Sequence, residues 1–149
     1  MQGVRRGARA VMKYFAPLIF VAIIVQIFLA GEGIFGIKHL KKDIGDAKTL
    51  DPHRALGFFL TEPIAFLFLI VALLAWHPDR RVRRVSLLLP FLTFAQAPLA
   101  WGGRWSGAFH PLNAFLLLAL YGWLSGQLHR GARAPAAGPV EAEPAATQT

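Results

Sequence analysis

The chain reads as an all-α integral membrane protein, an antiparallel four-helix bundle made of two repeated helix pairs, and three observations predict it. Hydrophobic residues make up 55% of the 149. They gather into four runs, 14–35, 56–76, 85–101 and 109–128, each at or near the roughly 20 residues that a hydrocarbon layer requires. Two eight-residue strings, QIFLAGEG from Gln26 and QAPLAWGG from Gln96, share Gln, Leu, Ala and Gly at the same offsets, and a histidine opens the next apolar segment after each. Ten of the sixteen lysines and arginines fall in segments that alternate with the other loops, the asymmetry expected when short basic loops stay cytoplasmic. Lipid offers no partner to a backbone N–H or C=O, so spans of this length are expected to be helical, and four strands cannot close a barrel.

Span one follows Arg5, Arg6, Arg9 and Lys13. A signal peptide opens similarly, but its apolar core holds roughly 7 to 15 residues, and cleavage here would discard the repeated glutamine motif. The loop over 36–52 carries Lys38, His39, Lys41, Lys42 and Lys48 against Asp43, Asp46 and Asp51. Within it Ile37, Leu40, Ile44 and Ala47 recur at helical spacing, as in a short surface helix, although a solvated connector has the same composition. Asp51 before Pro52 predicts an N-cap followed by proline in the first helical position, placing His53 in the first turn of helix two. His110 before Pro111 predicts a similar start for helix four, so both histidines are expected at matched depth near the outer face.

Arg80, Arg81, Arg83 and Arg84 separate spans two and three, and Arg130 and Arg133 follow span four, whereas the last loop holds only Arg104. Span three is the shortest. The residues 132–149, rich in Ala, Pro, Glu and Thr, are expected to form a disordered cytoplasmic tail. Both termini are then cytoplasmic. The net charge of +8 is juxtamembrane charge facing anionic lipid, not a nucleic-acid footprint. With no cysteine in the chain, disulfides, thiolate metal sites and cysteine nucleophiles are excluded. No Gly-rich phosphate loop, serine triad or paired carboxylate appears, which speaks against a hydrolase or kinase and leaves enzymatic activity open.

In each repeat the glutamine shares a helical face with small residues, Ala30 and Gly33 or Ala100 and Gly103. His53 and His110 then arrive beside these faces. Two imidazoles on facing helices suit the axial positions of a haem iron, whereas copper or another imidazole-binding metal would find the set incomplete. Gly57 and Ala114, each four residues after a histidine, would let a macrocycle edge approach. Asn113, Leu117, Tyr121, Leu60 and Ile64 would wall the cavity, and Arg54 or Arg104 could meet propionates. Interfacial histidines and Gln/Ala/Gly faces also occur merely as packing. His77 and His129 match less well, differing by about 7 Å in depth on continuous helices. Glu62, near mid-span and half a turn from His53, is expected to be a neutral acid bonded to a neighbouring helix, a proton-handling group or a homodimer contact, with Pro63 kinking the helix beside it.

The Gln26–Gly31 segment and the string His110, Pro111, Leu112, Asn113, Ala114 resemble a small bacterial four-helix membrane family of unknown function. Each half more distantly resembles a half of haem A synthase, with His53–Arg54 matching its His-Arg pair and His110 its later histidine. The synthase glutamate falls here on Leu50, so the resemblance implies haem-holding geometry without the synthase reaction, in a bacterial inner membrane. The expected function is binding of one b-type haem through His53 and His110, with Gln26 and Gln96 beside them, for electron transfer, sensing or haem handling, with a redox or membrane-protein partner or a second copy. The alternatives are a cofactor-free bundle stabilising a partner complex and a small transporter using Glu62.

Overall fold

A computed structural model describes residues 1–37 and 48–130, and among these every regular element is helical. Of the surface helix expected over 37–47, positions 38–47 with His39 lie outside the described residues, as does the tail expected over 132–149. Helix α1 spans Gln2–Phe35. Its 34 residues run about 51 Å at about 1.5 Å each, so its basic first turns project well beyond the apolar stretch.

The return path is built by close contacts. Lys48–Leu50 forms one 3-10 turn, with Leu50 buried against Gly33, where an added Cβ would meet Thr49 O at 2.9 Å. Helix α2, Asp51–Phe59, follows directly. Asp51 is not its cap: it lies inside the first turn, where its carboxylate takes the Arg54 guanidinium at 3.0 Å. Leu60–Ile64 is a π turn leading into α3, Ala65–Ala75. Pro63 lacks an N–H and its ring crowds the carbonyl four residues back, a conflict that the wider turn relieves.

Trp76, at φ 33°, ends α3 in the left-handed region. Arg9 of α1 closes that end by donating from Nε to Ala75 O at 3.0 Å, a cation on the negative pole of a helix. Asp79 then caps α4, Arg80–Phe94, accepting from the N–H groups of Arg81 at 2.7 Å and Val82 at 3.1 Å. After Ala95, α5 covers Gln96–Trp101. Gly103, at φ 94°, makes the sharp reversal into α6, Arg104–Arg130. This overturns the expected start of helix four at His110: glycine supplies the turn and the helix begins six residues earlier, at Arg104, and Pro111 sits inside the helix.

The helices pack as a ring in chain order: α1 on α3, α3 on α4, α4 on α6, and α6 back on α1. One seam of residues fills the centre, Met12, Ala16, Ile19 and Ile23 from α1, Phe68, Val71 and Ala75 from α3, Val82 and Leu89 from α4, and Leu117, Tyr121 and Leu124 from α6. Their steps of three, four and seven are those of interlocking helical ridges. Phe68 stands between Phe15 and Tyr121, with ring centroids 5.6 and 5.4 Å away. Buried Ser86 and Thr93 turn their hydroxyls onto Arg83 O and Leu89 O of their own helix, so neither costs an unmet donor.

Three helical stretches are long and apolar enough to cross a membrane, Gln2–Phe35, Lys48–Ala75 and Arg104–Arg130. The expected third span over 85–101 is not among them. Its helix begins in arginines at position 80 and is interrupted at Ala95, because Pro98 has no N–H to offer the carbonyl of Phe94. The start of α1 and the end of α6 lie at the same end of the bundle, with the α3–α4 turn.

Candidate functional site

The opposite end holds both glutamines and both histidines. His53 lies in the first turns of α2. Its Nδ1 stands 3.1 Å from Gln26 O, while Gln26 Nε2 donates to His53 O at 2.8 Å. The second repeat reproduces the arrangement: His110 Nδ1 stands 3.1 Å from Gln96 O. With the Gln96 amide turned to satisfy both its ends, Nε2 donates to His110 O at 3.1 Å and Oε1 accepts from the Ala114 N–H at 3.2 Å. Each histidine is clasped to a glutamine on the preceding helix.

A carbonyl oxygen can only accept, so the proton belongs to Nδ1 in the His53 clasp, and in the His110 clasp where Nδ1 bonds Gln96 O in place of the 3.2 Å contact from the turned Gln96 amide. The neutral ring then keeps its lone pair on Nε2, the form in which imidazole ligates a metal with its other nitrogen oriented by a backbone carbonyl. The two rings stand edge to face, with centroids 6.3 Å apart and planes at 83°. With metal–imidazole bonds of about 2 Å, and ring centres about 1.1 Å behind the ligating nitrogens, two imidazoles on opposite sides of one ion stand about 6 Å apart. α2 packs on α1, and α5 on α6, but α2 and α6 form no extended contact among the described residues. The histidine rings, in edge-to-face contact, are where α2 and α6 approach each other.

The surrounding residues divide. Gly57 is bare because of the glutamine: an added Cβ would stand 2.8 Å from Gln26 Nε2. That space belongs to the clasp and not to a macrocycle edge, as does the Ala114 N–H. Asn113 bonds from Nδ2 to Leu92 O at 2.8 Å, steadying the interrupted α4–α5 stretch. Leu117 and Tyr121 belong to the core and not to the surroundings of the histidine pair; the Tyr121 hydroxyl is enclosed beside Thr93 without a hydrogen bond of standard geometry. Arg54 is engaged with Asp51, and exposed Arg104 lies over the Trp105 ring at 5.7 Å. Gln26 Oε1 is buried with no hydrogen-bond partner, an acceptor left open in the clasp.

Gly33 and Gly103 part company despite their matched positions. Gly33 admits the Thr49–Leu50 turn, whereas Gly103 supplies a positive φ and Ala100 is exposed. The closely packed small-residue face expected twice is thus formed only on α1. Glu62 is exposed in the π turn, and no hydrogen bond or ion pair reaches it among the described residues. It is not bonded to a neighbouring helix.

At the basic end, a cavity of about 530 Å³ is lined by Arg9, Lys13, His77, Asp79 and Gln127 among others. His77 Nδ1 accepts from the Asp79 N–H at 3.2 Å, and burial, reinforced by Arg9, holds its pKa below the ordinary histidine value. His129 turns away, its Nδ1 on Ser125 O at 2.8 Å. Sequence reasoning missed this cavity, whose signal was the glutamine in the last basic turn of span four opposite Arg9 and Lys13. Comparison with protein families, with curated proteins and with solved structures yielded no match to this chain.

Proposed function

We propose that the protein is an integral membrane protein, with both termini on the cytoplasmic side of a bacterial inner membrane, that holds one b-type haem near the outer face through His53 and His110. The observation that carries this reading is the facing imidazole pair, 6.3 Å between centroids, each ring held by Nδ1 on a glutamine carbonyl so that Nε2 is left for a metal. The donor chemistry favours haem over a bare ion. Among the described residues no group of three or more His, Asp or Glu gathers, so two imidazoles fall short of a protein-only site. They would suffice for a haem, which brings the rest of its own iron ligands. His53 and His110 would hold the haem, which would supply one-electron chemistry suited to electron transfer over oxygen binding. The chain's part is to fix both rings, and the recurrence of the clasp in the two halves supports descent from a duplicated helix pair.

The test is the oxidised and reduced absorption spectrum of protein purified in mild detergent from haem-supplied cells. A sharp Soret band with the reduced bands of a six-coordinate b haem is expected, lost in His53→Ala and in His110→Ala alike. A flat visible spectrum from folded protein would overturn the reading and leave the pair as a helix clasp in a partner-stabilising bundle.

A further inference from the structure

The cavity at the basic end differs in chemistry from the histidine pair and lies at the other end of the bundle. Arg9 and Lys13 of α1 line one side, His77 and Asp79 of the α3–α4 turn a second, and Gln127 of α6 the third. Its charge is not balanced internally. Asp79 uses its carboxylate as the α4 cap, and no carboxylate pairs with Arg9 or Lys13 among the described residues. Arg9 is held in place by its bonds to Ala75 O and Trp76 O, so its charge is fixed at the cavity. Because Nδ1 of His77 accepts from Asp79 N–H, the proton of its neutral ring lies on Nε2, a donor. Gln127 offers an amide that no hydrogen bond engages.

The level of the cavity identifies its occupant. Lys13 immediately precedes the apolar run that opens at Tyr14, and Trp76 follows the end of α3. Both aromatics are exposed, as residues are at the boundary between hydrocarbon and headgroups. Exposed Val11 and Leu18 continue the outer surface of α1, where acyl chains can lie. We propose that this cavity binds the phosphate of an anionic phospholipid headgroup, through the Arg9 and Lys13 charges and the Gln127 amide, as basic pockets between cytoplasmic helix ends do. A soluble phosphate shares that chemistry but would have no use for the flanking apolar surface.

Native mass spectrometry of the full-length protein in detergent decides between them, with phosphatidylglycerol, phosphatidylcholine and inorganic phosphate as probes. Phosphatidylglycerol should be retained in preference to phosphatidylcholine, and millimolar inorganic phosphate should not displace it. Lys13→Gln should lower its retention about fivefold, the contribution of one juxtamembrane cation, and Gln127→Leu should lower it further without changing the melting temperature. Equal retention of the two lipids, or unchanged retention in both variants, would overturn the proposal. Displacement by inorganic phosphate would overturn the lipid source and assign the cavity to a soluble anion.

Discussion

Gln26 and Gly57 form a coupled pair, since the amide that reaches His53 O occupies the space a side chain at 57 would take. Gly57→Ala is expected to displace the amide and cost about 1 kcal/mol, the worth of one hydrogen bond. Gln26→Ala should cost a similar amount. The double variant should cost clearly less than the two singles combined, because both remove the same bond; denaturant titration in detergent reads this, and full additivity would show that the two do not share it. Glu62 calls for the opposite expectation. An unpartnered acid midway along an apolar helix is unfavourable in lipid, so Glu62→Gln should leave the melting temperature unchanged or raise it. A fall of several degrees would reveal a partner within the protein.

Helix ends carry the next two expectations. The Asp79 carboxyl is held below its ordinary value by the N–H groups of Val82 and Arg81. A depressed folded-state value means that the cap contributes fully above the unfolded carboxylate range and loses that contribution as pH falls through the folded value. Wild type should therefore lose stability relative to Asp79→Asn on acidification, since asparagine still caps but does not titrate. Parallel pH profiles of the two melting temperatures would contradict this. Gly103 sits at φ 94°, where a Cβ is strained. Although nothing crowds the position, Gly103→Ala should cost roughly 1 kcal/mol or more. Such a loss would affect the α5–α6 reversal that sets His110 opposite His53.

Topology can be checked across the assembled bundle because the chain contains no cysteine. Single cysteines introduced at Gln2 and His129, at the basic end, should resist a membrane-impermeant maleimide applied from outside intact spheroplasts. One at exposed Trp101, at the histidine end, should react. Reversed labelling would place the histidine pair on the cytoplasmic side. The bundle's class was legible in the chain: apolar runs of sufficient length demand helices, and the identical offsets from Gln26 and Gln96 put a histidine beside each glutamine, though not the hydrogen bonds that join them. Helix boundaries were less so, since Pro63 and Pro98 tell where a hydrogen bond is missing but not whether the chain kinks, widens or restarts. Nor could composition reveal that Gly57 was cleared for Gln26 and not for a ligand, that Tyr121 lies in the core, or that Arg9 and Gln127 share a cavity. Periodicity and charge are properties of local segments and survive into the fold, whereas partners are set by distances between segments far apart in the chain, which exist only once the helices have packed.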